Sequence, residues 1–314
     1  MISRRKLLVS SVSAAAAASA FVNVAFAQDK VIKVGTLKLL HAITPHFYEK
    51  FAPAGYKFEI IPFETPTDGK NAVVTKSVTF GAFGIAAATL GGAAGESVVV
   101  IGAQCNKGMA VVAGKDSAIA SIKALKGKKV GILPGSTQEV VILDRLKQEG
   151  MTVADIQPVR LAFSEMPAAL ERGDIDAYVG AEPGPSISVS RGVGKVVEYP
   201  YGTPTGALNM VMCTHADVVK SDPAMIKAFL QMHRKATEFA LANRPAFIEM
   251  CEQKLGLPAK TVELAAPHIE LTWRIDDDWV TRAKYYGSQM LDKKQIRQLP
   301  DYASFINTSF AKSI

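Results

Sequence analysis

Short apolar runs separated by turn residues recur through the first two thirds of the chain, at residues 31–36, 58–62, 79–83, 98–103, 109–113, 129–133, 156–161, 175–179, 195–199 and 209–213. Segments with helical periodicity fall between many of them. This alternation predicts an α/β fold built on parallel sheets, not a sandwich or a bundle. From Asp222 the pattern becomes helical: Asp222-Pro223 supplies a cap and first-turn proline, and Ile226, Phe229, Leu230, His233 and Thr237 then recur at helical spacing. Further helices are predicted over residues 245–255, 258–266 and 276–291. No internal repeat breaks the series.

Late helices after early strands place the two ends of the chain in one lobe, with a second lobe inserted between them. The predicted division is 28–112 with 209–314 for the first lobe and 113–208 for the second, with crossings near Ala113-Gly114 and Ala207–Asn209. Two crossing segments make a hinge, and ligands favour domain interfaces and the carboxyl ends of parallel strands.

The most informative segment runs from Ile122 to Thr137. An apolar strand ends at Pro134-Gly135 and gives way to a helix over residues 137–148, with Ser136 as N-cap and Val140, Leu143 and Leu146 on one face. A helix start offers unpaired N–H groups at the positive end of the dipole, which suits sulfonate, nitrate, phosphate or carboxylate oxygens, and Ser136 and Thr137 add hydroxyls. Ser136-x-x-Glu139 is equally a capping box that satisfies the helix end without a ligand, and Glu139 places a negative charge against a full anion there. About thirty residues on, a helix closed by Gly173 leads to a short strand and the loop Gly180-Ala181-Glu182-Pro183.

The chain has 314 residues, 48% hydrophobic and 21% charged, enough for a sizeable core. Arg4, Arg5 and Lys6 precede an Ala-rich apolar stretch and then Ala25-Phe26-Ala27, the pattern of a cleavable signal peptide over residues 1–27. Arg4-Arg5 also resembles a twin-arginine signal. The stretch is short for a membrane anchor, and no cysteine follows the cleavage site, so a diffusible periplasmic protein is expected. The chain carries 36 basic and 29 acidic residues, a net +7, and losing Arg4, Arg5 and Lys6 lowers it to +4. Those basic residues form no stripe of the kind nucleic acid requires, so no nucleic-acid partner is expected. Cys105, Cys213 and Cys251 imply no disulfide framework and read as small buried hydrophobes.

Leu125-Lys126-Gly127-Lys128-Lys129-Val130, Gly135-Ser136-Thr137, Ala169-Leu170 with Gly173-Asp174-Ile175-Asp176-Ala177, and Glu182-Pro183 together resemble the motif series of the periplasmic binding proteins for nitrate, taurine, alkanesulfonates and thiamine-pyrimidine precursors. The resemblance implies a type II periplasmic binding protein fold, two doubly wound lobes joined by two crossing segments. It implies a monomer that captures a small-molecule ligand and hands it to an ABC permease and ATPase, with no catalysis and no cofactor. By position it points to Lys38, Leu39, His41 and Thr44 in the first loop, to Gly135, Ser136 and Thr137, and to Glu182 and Pro183. Thr65 and Gly84, in loops at other strand ends, join them as candidates. The first loop, Leu37 to Thr44, and Ala181 depart from the commoner sulfonate pattern. A pyrimidine or aromatic acid therefore stays open as ligand, with Phe47, Phe63, Phe83 or Tyr178 as a ring platform, beside the sulfonate, taurine and nitrate class.

Other constellations carry less. His41 and His46 do not share a face at ligand spacing, and no metal site is expected. Asp276-Asp277-Asp278 reads as a helix start complementing its dipole. A synthase of the same architecture would depend on a cysteine-rich motif, whereas the three cysteines here are isolated. No nucleophile elbow, Walker loop or zinc-protease motif is present. A sensing role, presenting the closed form to a membrane receptor, is compatible with the same sequence.

Overall fold

The computed structural model describes residues 30–314, so the expected signal peptide and cleavage site lie outside the described residues. Eleven strands are described: β1 (Lys30–Leu37), β2 (Tyr56–Phe63), β3 (Phe80–Gly84), β4 (Val98–Lys107), β5 (Met109–Gly114), β6 (Lys129–Ile132), β7 (Gln157–Arg160), β8 (Ala177–Ala181), β9 (Gly194–Glu198), β10 (Leu208–His215) and β11 (Ile269–Leu271). They form a six-stranded sheet, order β11-β4-β10-β3-β1-β2, and a five-stranded sheet, order β7-β6-β8-β5-β9. Each sheet is the floor of one lobe.

The sheets are mixed, which corrects the expectation of purely parallel ones. β1 pairs parallel with β2 and β3, and β6 with β7 and β8. The reversed strands include β5, antiparallel to β8 and β9, and β10, antiparallel to β3 and β4. These are the strands that arrive from the other lobe. A chain entering through the hinge runs against strands laid down by local right-handed crossovers.

The first crossing also falls earlier than expected. The chain leaves the first sheet at Gly108, whose φ of 74° turns β4 into β5, so Met109–Gly114 belongs wholly to the second sheet. The polar stretch Gln104–Lys107 separates the two apolar runs, and the left-handed pair Lys107, φ 60°, and Gly108 marks the exchange. The return is made between Glu198 and Leu208.

Ten helices matter here: α1 (Pro66–Val74), α2 (Ile85–Ala93), α3 (Thr137–Gln148), α4 (Met166–Glu171), α5 (Gly184–Ser190), α6 (Ala216–Ser221), α7 (Pro223–Ala242), α8 (Arg244–Leu255), α9 (Ala259–Ala265) and α10 (Asp277–Asp292). Asp222 caps α7 by accepting from Met225 N–H at 3.0 Å, and Ile226, Phe229, Leu230, His233 and Thr237 are all buried, as the periodicity predicts. Phe229 stacks on Phe80 at 3.7 Å, and Tyr48 meets it edge-on. Asp276 caps α10 through Trp279 N–H at 2.7 Å, so the three acids open a helix.

α3 serves two cores. Ile142 and Leu146 pack into the second lobe, while Val140 and Val141 join a cluster of the first lobe that includes Phe83, Ile85 and Tyr286. The lobes therefore meet across an apolar helix face as well as through the two crossings.

Candidate ligand-binding cleft

The loops at the carboxyl ends of β1, β3, β6 and β8 converge where the lobes face each other. After β1 the chain winds into two successive 3-10 segments, Leu40–Ala42 and Thr44–Phe51. Thr36 Oγ1 donates to Ala42 O at 2.8 Å and ties that winding back to the strand. His41 and Thr44 end up buried, and burial holds the His41 imidazole down to about 3, so it is neutral. Neither His41 Nδ1 nor Thr44 Oγ1 has a protein partner.

Lys38 and Leu39, at the start of the same loop, line a cavity of about 210 Å³. Its other walls come from the second lobe, chiefly Phe163, Pro167, Pro183 and Ile187, with Leu257 from the first. Lys38 Nζ pairs with the Glu64 carboxylate, and both side chains are exposed. Two larger grooves, of about 420 and 460 Å³, are walled by the first lobe and the returning segment alone. The cavity shared by both lobes is the one that closure could seal.

Glu182 ends β8 and is buried. Its N–H donates to Gly108 O at 3.0 Å, and its carboxylate accepts from Ser186 N–H at 3.3 Å at the start of α5. Burial pushes its carboxyl up to about 7. The Glu182-Pro183 peptide is cis. Ala181 and Pro183, on either side, line the cavity.

Gly135, Ser136 and Thr137 lie in a separate contact between the lobes. Gly135 has φ 76°, and its N–H donates to Glu139 Oε2 at 2.8 Å. Ser136 Oγ accepts from Glu139 N–H at 3.2 Å, and Gln295 Nε2 donates to the Glu139 carboxylate at 3.0 Å. Thr137 Oγ1 donates to Asn209 O at 3.3 Å, and its carbonyl accepts from Tyr286 Oη at 2.9 Å. A Cβ on Gly84 would stand 2.7 Å from Thr137 Oγ1, so glycine there is what lets the β3 loop meet α3. Thr65 caps α1 by accepting from Asp68 N–H at 3.2 Å.

Of the residues singled out in the sequence, Lys38, Leu39 and Pro183 line the shared cavity, and His41, Thr44 and Glu182 lie buried beside those wall residues in the chain. Gly84, Gly135, Ser136 and Thr137 form the second contact, with the side chains and the Gly135 N–H partnered inside the protein or packed, and Thr65 caps a helix. The aromatic ring in the cavity wall is Phe163: Phe47, Phe83 and Tyr178 are core residues, and Phe63 packs over Gly35. Phe163 sits in a loop whose pattern gives no inward or outward face. Gln104 was the more legible omission, an amide directly after the apolar run of β4, fully buried, with Nε2 3.5 Å from His41 O and Oε1 without a protein partner. Among the described residues no group of three or more His, Cys, Asp or Glu is placed to hold a metal ion.

Residues 42–246, spanning most of both sheets and the second-lobe walls of the shared cavity, match the family described as NMT1/THI5 like. The chain belongs to the NMT1/THI5-like family. This family member is 25% identical over 236 residues, 74% of its own length and 73% of the relative's, to a curated protein of Escherichia coli (strain K12) named for binding aliphatic sulfonates. Its fold matches the alkanesulfonate-binding protein SsuA from Xanthomonas axonopodis pv. citri, solved bound to MOPS, with TM-score 0.80, 17% identity and coverage of 90% of this chain and 99% of the other. It also matches the periplasmic nitrate-binding protein NrtA from Synechocystis PCC 6803, with TM-score 0.73, 13% identity and coverage of 91% and 88%. The shared architecture is the two-lobed periplasmic binding protein fold. Among the described residues no helix is long and apolar enough to cross a membrane.

Proposed function

We propose that this chain is the extracytoplasmic solute-binding component of an ABC importer, closing two lobes on a small polar solute and presenting the closed form to a permease and ATPase. The observation that carries this is the 210 Å³ cavity walled from both lobes at the carboxyl ends of β1 and β8. A solute there bridges the lobes and stabilises their closed arrangement by its differential affinity for it. The names of the relatives make alkanesulfonates and nitrate the first solutes to test, with taurine added by the sequence resemblance, and the leader-like first 27 residues support export to the periplasm. Phe163 in the cavity wall supports a second ligand class, a pyrimidine or aromatic acid.

The three cysteines support binding over a cysteine-dependent synthase. All are free and buried, and burial pushes each thiol up, away from the reactive thiolate. A thermal-shift screen with sulfonates, taurine, nitrate and single-ring acids, amides and pyrimidines tests the proposal. A true ligand raises the melting temperature in proportion to the logarithm of its concentration above Kd. A flat response across the whole panel sinks it.

A further inference from the structure

We propose that Gln104, with His41 and Thr44, forms the head-group subsite of the cleft, and that this subsite takes an uncharged head offering both N–H and C=O, such as a carboxamide. The proposal rests on the solute-binding reading above and narrows its ligand. Three observations carry it.

First, three side-chain atoms, His41 Nδ1, Thr44 Oγ1 and Gln104 Oε1, are buried in one neighbourhood without a protein partner. His41 and Thr44 lie three residues apart in successive 3-10 segments, and the Gln104 amide lies against the His41 carbonyl at 3.5 Å. Buried polar atoms in native proteins are overwhelmingly partnered, so a cluster of three marks a place built for partners from outside the chain.

Second, the cluster is tied to the cavity wall through chain neighbours, although none of its three side chains is a lining residue. Leu39, two residues before His41, is a cavity wall. A Cβ on Gly108 would lie 3.0 Å from His41 Nδ1, and the Gly108 carbonyl receives the N–H of Glu182, whose two chain neighbours are cavity walls.

Third, the charges present do not suit an anion. Lys38, the one cation among the described residues lining the cavity, is exposed and paired with Glu64. The first turn of α3 already holds the Glu139 carboxylate, which accepts the Gly135 N–H, and Glu182 adds a buried acid nearby. Gln104 Oε1 accepts only and needs a donor, while neutral His41 and Thr44 can donate to a carbonyl. The walls, Leu39, Phe163, Pro167, Ile187 and Leu257, leave room for one ring or a short chain, since 210 Å³ falls below the roughly 300–1,000 Å³ of common ligand pockets.

Calorimetric titration with benzamide, benzamidine and benzenesulfonate tests the head group alone, because the three share one ring. Benzamide is expected to bind, with benzenesulfonate at least about tenfold weaker and benzamidine no tighter than benzamide. Thr44→Val, close in shape, and Gln104→Leu, each checked for an unchanged circular dichroism spectrum, should weaken benzamide about tenfold, the loss of one hydrogen bond to a buried head. Benzenesulfonate binding as tightly as benzamide overturns the assignment and leaves the solute-binding reading intact. Benzamidine binding tightest overturns it by making Glu182 the determinant. Unchanged benzamide affinity in a folded variant overturns it as well. If none of the three binds while another panel solute does, only this inference falls; if no panel solute binds, the function reading falls with it.

Discussion

Ser136 and Glu139 show how one pair of residues supports two readings from sequence and one set of contacts in three dimensions. Each satisfies an orphan donor at the start of α3, Ser136 that of Glu139 and Glu139 that of Gly135. Ser136→Ala should therefore cost about 1 kcal/mol of stability, the usual value of a lost N-cap, and leave solute affinity unchanged. Denaturant unfolding beside titration checks both; a large affinity loss at unchanged stability would restore Ser136 to the pocket. Glu182 governs a pH response. Its carboxyl ionises near 4.5 when exposed but is held up to about 7 by burial, so the folded state binds the proton more tightly. Its stability contribution is complete below about pH 4.5 and is lost as pH rises through about 7. His41 and His233 act in the opposite sense: burial lowers them from 6.5 to about 3 and about 4, so their contribution is present above pH 6.5 and lost on acidification. Glu182→Gln should remove the falling part, so that stability rises more steeply between about pH 4.5 and 6.5 and stays level to pH 8, where the variant gains on the native protein. Unfolding curves for the two proteins across that range isolate the Glu182 part, and parallel curves would refute it.

At the scale of elements, the decisive join is β4 to β5. Two successive left-handed residues, Lys107 at φ 60° and Gly108 at φ 74°, turn a strand of the first sheet into a strand of the second, and a Cβ on Gly108 would face His41 and Ile269. Gly108→Ala forces an L residue into the left-handed region and puts a methyl 3.0 Å from His41 Nδ1 and 3.3 Å from Ile269 Cγ2. A loss of about 1–3 kcal/mol is expected, seen as a lower denaturation midpoint. A neutral result would show that the crossing relaxes freely. The ten apolar runs were legible because strand periodicity and turn residues are local; the short strand β11, three residues long, was not, since its pairing with β4 alone makes it a strand.

For the whole molecule, closure depends on contacts between lobes. Tyr286 of α10, fully buried, donates to the Thr137 carbonyl across that divide. Tyr286→Phe removes that bond and little else, so about 1 kcal/mol should disappear from the closed arrangement and solute Kd should rise several-fold. Titration of the variant with a panel solute measures this. An unchanged Kd with a lowered melting temperature would mean that the bond persists when the lobes open.

The sequence alone determined the α/β fold class, ten of the eleven described strands, the helices from Asp222 onward in outline, and the capping of α3, α7 and α10, because periodicity, caps and glycine turns act over a few residues. Tertiary structure decided what each loop does. It put Gly135–Thr137 into a satisfied contact with Gly84, Asn209 and Tyr286, and it brought Gln104, 63 residues away in the chain, onto His41. Whether a polar atom is free for a ligand depends on every group packed around it, and those groups come from distant segments that no local pattern brings together.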